Sequence, residues 1–179
     1  MKRLKETFEL NKILKSKGCI GVIWFLITLT AIYFTPYSIV YVGSESIPIG
    51  LYYIDKTDKK VDRDSIYCFI DHHPEWVSDE LPLVDGGQIC KRAIGMPGDI
   101  VSKKDGNVLI EVKAHNELTV KSFPYVTQLN GIEVKSELAE GEIPAGMTYF
   151  GSNYVGGWDS RYFGLIPQSV VIGKATKIF

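Results

Sequence analysis

The chain is 179 residues long, 45% hydrophobic and 23% charged, which excludes a disordered polymer and leaves room for one cored domain with an appendage. A net charge of -1 and a pI of about 6.3 give no whole-chain reason to expect nucleic acid as a partner.

Residues 1–17 are basic, with Lys2, Arg3, Lys5, Lys12, Lys15 and Lys17 against Glu6 and Glu9. An uncharged run from Gly18 to Thr35 follows; as a helix it would reach about 27 Å, close to the ~30 Å of a hydrocarbon core. Tyr33 and Tyr37 stand where an aromatic belt would sit, and Pro36 supplies a stop. A buried core helix should show a polar stripe, and this run has none. A cleavable secretory signal should end in a small-x-small site, and no convincing one follows. The expectation is therefore a cytoplasmic leader at 1–17, one transmembrane anchor at 18–36 and an extracytoplasmic domain at 37–179, the positive flank setting the orientation.

Beyond residue 36 the texture changes to short apolar or β-branched runs: Ser38–Val42, Gly50–Ile54, Ser65–Ile70, Gln88–Ile94, Ile100–Ser102, Val108–Val112, Gly131–Val134, Met147–Phe150 and Val170–Ala175. Gly, Asp and Pro punctuate them, and Asp105-Gly106-Asn107 and Asn130-Gly131 read as hairpin turns. No long segment of helical period occurs here, so the expected fold is mostly β, in a single domain.

Three blocks carry chemistry. In Gly43-Ser44-Glu45-Ser46-Ile47-Pro48-Ile49-Gly50, the proline keeps the chain before it extended or turned, so Ser46 could present its hydroxyl to a peptide; Ser-x-Pro is also a common surface turn. Lys91 lies inside an apolar run, Ile89 to Ile94. Burial would disfavour its ammonium form, and a neutral amine can take a proton from a serine hydroxyl; an edge-strand lysine that guards against aggregation fits the same pattern. The third block, Gly151 to Tyr154 and then Trp158-Asp159-Ser160-Arg161-Tyr162-Phe163-Gly164, packs polar groups among aromatics and suggests an internal Asp159–Arg161 ion pair with a structural role.

In this order the blocks resemble the type I signal peptidase family of Ser-Lys peptidases. Lys91 to Asp99 is similar to that family's lysine block, Asp159 to Gly164 with Pro167 to its carboxy-terminal block, and Asp64 to Phe69 more weakly to the strand between nucleophile and lysine. One residue separates Ser46 from Pro48, where the housekeeping enzymes have two; with Gly50-Leu51-Tyr52 this looks like the TraF branch, which matures pilin precursors in conjugation. The resemblance implies a signal-peptidase-like β-rich fold tethered to the bacterial inner membrane with its catalytic domain in the periplasm. It also implies Ser46 as nucleophile, Lys91 as general base, and an oxyanion hole made by the Ser44 hydroxyl and the Ser46 amide. Cleavage would follow small residues at the first and third positions before the scissile bond, on a membrane-bound, pilin-like precursor, with no metal or cofactor and no nucleic acid. Water or a peptide amine could end the reaction. The family often carries a serine that orients the lysine where this chain has Gly157; Ser160 or a water could replace it. A non-catalytic pilus-assembly subunit with the same fold is the alternative function.

Some ten residues join Pro36 to Ser46, so the serine would stay within roughly 35 Å of a bilayer, and Ile47, Ile49 and Leu51 could rest near the lipid. Cys68 and Cys90 could form a disulfide on the oxidising side or remain two buried thiols. His72 and His73, with Asp71 and Glu75, read as a solvated loop rather than a metal site. The stretch from His115 to Glu142 reads as an insertion or a substrate-facing hairpin.

Overall fold

The computed structural model describes residues 17–70, 77, 87–114, 117–129 and 131–179. Asp71, His72, His73, Glu75 and His115, and the leader apart from Lys17, lie outside the described residues. The chain divides into two compact units after Pro36.

In the first unit, helix α1 runs over Lys17–Tyr33. Its polar residues do not form a stripe: Thr28 and Thr30 turn their hydroxyls back onto the Trp24 and Leu26 carbonyls at 2.9 and 2.8 Å, which satisfies them within the helix. Val22, Trp24, Phe25, Leu26 and Ile27 are all exposed. At 1.5 Å per residue the helix spans roughly 26 Å. No helix among the described residues is long and apolar enough to cross a membrane.

The second unit, from Tyr37 to Phe179, is mostly β, as expected. Its larger sheet has seven strands: β1 (Tyr37–Val42), β2 (Gly50–Asp55), β3 (Ile66–Ile70), β4 (Gln88–Gly95), β11 (Met147–Gly151), β12 (Ile166–Pro167) and β13 (Val171–Lys177). They are ordered β1-β2-β13-β3-β4-β11-β12, and the carboxy-terminal strand β13 fills the gap between β2 and β3. A four-stranded sheet joins β10 (Gly141–Glu142), β5 (Ile100–Lys104), β6 (Asn107–Ala114) and β7 (Glu117–Pro124) in that order. β8 (Gln128–Leu129) and β9 (Ile132–Glu133) pair separately.

Local sequence explains most of these boundaries. Between β5 and β6, Asp105 and Gly106 adopt φ 50° and 71° as the two-residue loop that closes the Lys104–Asn107 pair, a geometry that Asp-Gly tolerates and that matches strand twist. Within the 115–142 stretch, β7 pairs with β6 along its whole length, from Asn107–Pro124 to Ala114–Glu117.

Ile94, Val101, Val108, Ile110, Phe123, Ile143 and Tyr149 form a core that joins the two sheets, each large side chain contributing about 1.5–3 kcal/mol by leaving water. Inside it the Tyr149 hydroxyl has no hydrogen-bond partner among the described residues, and burial, with the Asp159 carboxylate adding to it, pushes its ionisation well above the usual tyrosine range. An unsatisfied buried hydroxyl costs about 1–3 kcal/mol. Tyr149→Phe should therefore raise the thermal midpoint of the folded chain; a fall would mean that the hydroxyl has a partner in solution.

Candidate active site

Ser46 sits in the turn between β1 and β2. Two contacts fix that turn. Ile47 is only 3% exposed and packs with Tyr52, Ile54, Cys68 and Ala175, and the Tyr52 hydroxyl donates to the Pro48 carbonyl at 2.6 Å. Ile47 is thus no lipid-facing residue, contrary to the sequence expectation: as the anchor of the turn it must point inward, and Ile49 and Leu51 are the exposed ones. The turn leaves Ser46 half-buried and Ser44 exposed, with their hydroxyl oxygens 3.2 Å apart.

Ser46 and Pro48 line a cleft of about 320 Å³ together with Arg92 and Ile94 of β4, Gly151 at the end of β11, and Ser152 and Tyr154 beyond it. Lys91 is buried, 5% exposed, between Cys90 and the cleft-lining Arg92. Its burial follows from its neighbours. Tyr67 faces it across the ladder, and Ile89 and Ala93, two residues to either side on the same strand face, pack with Tyr67, Phe69 and Phe150.

Cys68 and Cys90 are joined by a disulfide between directly opposed positions of β3 and β4. Cys90 packs against the cluster that holds Ile47, so this crosslink stiffens the layer behind the serine turn.

The third block forms a buried ion pair. Short helix α2 (Ser160–Phe163) begins after Asp159, whose carboxylate accepts the Arg161 amide at its N-terminus. Arg161 grips the same carboxylate bidentately, Nε on Oδ1 at 2.8 Å and Nη2 on Oδ2 at 2.7 Å, with both side chains fully buried. The rest of the guanidinium donates to the carbonyls of Pro124, Tyr154 and Gly157 at 2.6, 2.7 and 3.2 Å. Burial opposes its charge, but the Asp159 bond outweighs that and holds Arg161 above its ordinary ionisation range.

Ser160 does not reach the cleft. It is fully buried, and its hydroxyl accepts the Phe150 amide at 3.0 Å. The residue that sequence reasoning missed is Ser152. Its amide and hydroxyl both donate to Asp159 Oδ2, at 3.1 and 3.2 Å, and it lines the cleft with Ser46. A lone serine after a glycine carries no sequence signal for such a place. Among the described residues no group of three or more His, Cys, Asp or Glu side chains gathers to hold a metal.

The family described as signal peptidase, peptidase S26, matches residues 13–179. The conjugal transfer protein TraF of Agrobacterium fabrum is 27% identical over 143 residues, covering 75% of this chain and 78% of that protein. Signal peptidase I of Bacillus licheniformis is 26% identical over 132 residues, covering 70% and 71%. A crystal structure of a signal peptidase I from Enterococcus faecalis aligns with a TM-score of 0.39 at 25% identity, over 66% of this chain and 99% of that one.

Proposed function

The chain belongs to the signal peptidase (peptidase S26) family, and on that premise we propose that it is a membrane-anchored serine endopeptidase with Ser46 as nucleophile and Lys91 as general base. The observation that carries this reading is the cleft: a serine hydroxyl on a pinned turn, a second hydroxyl 3.2 Å away, and opposite them the strand that holds a buried lysine.

In the proposed reaction the neutral Lys91 amine takes the Ser46 proton as Oγ attacks the scissile carbonyl. The Ser46 amide and Ser44 hydroxyl hold the oxyanion. The C–N bond breaks, the Lys91 ammonium returns the proton to the departing amine, and an acyl-enzyme remains. Water attacks it, giving a proton to Lys91, which passes it to Ser46 Oγ as the ester C–O bond breaks and so restores both groups; a peptide amine in place of water would make a new amide bond. Removing one oxyanion donor typically costs on the order of 10²–10³ in rate, so Ser44→Ala should slow cleavage by that factor without changing the cleavage site.

The substrate we propose is a membrane-bound, pilin-like precursor, supported by the similarity to a conjugal transfer protein. Membrane attachment draws on two features. α1 is apolar on every side, and β1, the strand that follows Pro36, exposes Tyr37, Ile39 and Tyr41 beside Leu51 of β2, an apolar face suited to a headgroup region. The positive leader would then lie in the cytoplasm and the β domain in the periplasm.

The test compares the intact mass of a co-encoded pilin-like precursor in cells that carry wild-type chain, Ser46→Ala or Lys91→Ala. Wild type should shorten the precursor and both variants should leave it full length. Processing that continues in either variant would refute the dyad and bring the assembly-subunit reading forward. A product lighter by one further water would identify the amine as the acyl acceptor.

A further inference from the structure

We propose that Ser152 is a positioning residue for Lys91, its hydroxyl held by the Asp159–Arg161 pair so that its remaining lone pairs face the lysine amine. This rests on the peptidase reading above and adds to it a residue on which that reading does not depend.

Strand register brings the two together. β11 meets β4 with Phe150 opposite Ala93 and Gly151 opposite Arg92. The same antiparallel register carried one residue further sets Ser152 across from Lys91, and directly opposed residues direct their side chains to one face with Cβ atoms about 4.5–5.5 Å apart. Ser152 also lines the cleft with Ser46, so the residue set across from Lys91 is one that the nucleophile's cleft shares.

The polarity of the hydroxyl follows from its partner. A carboxylate engaged by arginine offers only acceptors, so the single Ser152 proton goes to Asp159 Oδ2 at 3.2 Å. The serine amide is fixed on the same oxygen at 3.1 Å. Ser152 is 4% exposed, so the rotamer is held by packing as well. What remains is an oxygen able to accept, and an amine is the donor that fits it. Gly157 belongs to the same device: a Cβ built there would stand 2.6 Å from Ser152 Oγ, so the hydroxyl occupies space that only a glycine at 157 leaves open.

The test is steady-state cleavage, by full-length chain in detergent micelles, of a fluorogenic peptide with alanine at the first and third positions before the bond. Ser152→Ala should lower kcat about 10–100-fold, the loss expected of a hydrogen bond to a charged group, while KM stays within about twofold. Ser152→Thr, which keeps the hydroxyl, should recover most of that rate. Gly157→Ala should lower kcat like Ser152→Ala because its methyl displaces the hydroxyl, and the double variant should be no slower than either single one. Wild-type kcat in Ser152→Ala or in Gly157→Ala, or an effect on KM alone, overturns the assignment, and either variant suffices if the other does not fold. An inactive Ser46→Ala beside fully active Ser152→Ala and Gly157→Ala would overturn this inference alone, whereas an active Ser46→Ala would overturn the peptidase reading itself.

Discussion

Arg161→Met should destabilise the β domain by about 3–5 kcal/mol, the range observed when one partner of a buried ion pair is removed. The guanidinium makes both halves of a bidentate contact with Asp159 and closes over the Pro124 and Tyr154 carbonyls. Its loss leaves a fully buried carboxylate without its counter-charge and takes a donor from the carbonyls of Pro124, Tyr154 and Gly157, and methionine volume replaces none of these. For a domain of this size the expected fall in thermal midpoint is roughly 10–20 °C. Pro124 ends β7 and Tyr154 borders the cleft, so the pair ties the small sheet to the site wall. Asp159→Asn combined with Arg161→Met should cost less than the two changes summed, because the second removes a charge that the first has already stranded. A midpoint within about 3 °C of wild type for Arg161→Met would show that water replaces the guanidinium and that the cluster is not a structural keystone.

The turn at Ser46 was legible in the sequence because proline two residues on restricts the chain, and the burial of Lys91 because it lies inside an apolar strand run. The Asp105–Gly106 hairpin was legible for the same kind of local cause. β7 was not: Leu118 and Val120, which suggest a core-facing pattern, are exposed, and the strand ends in Pro124, a residue that usually demotes a strand reading. The inward turn of Ile47 was missed too, since its burial depends on Tyr52, Cys68 and Ala175 from three other strands. Ser152 is the sharpest case. Its place depends on the register of β11 on β4, set between segments far apart in the chain, and on the loop that brings Gly157 back against it. Residues whose chemistry follows from their immediate neighbours could be read; those placed by long-range register could not.

Lys91→Met should separate chemistry from packing at the position proposed for the general base. Methionine keeps an unbranched stem of similar length and carries no charge, so it fits among Ile89, Ala93 and the Tyr67 face and avoids the desolvation that an ammonium group meets in a site this closed. The folded chain should therefore be as stable as wild type or more so. General-base catalysis contributes about 10²–10⁴-fold, so cleavage should fall by that factor while the peptide binds as before. Lys91→Arg should also fail, because a guanidinium stays protonated and cannot accept the Ser46 proton. Measured together on one precursor peptide, unfolding midpoint and kcat make the two roles of this residue distinguishable. A variant that is destabilised but still cleaves at the wild-type rate would make Lys91 a structural cation of β4, and the Ser46 proton would need another acceptor on the cleft wall.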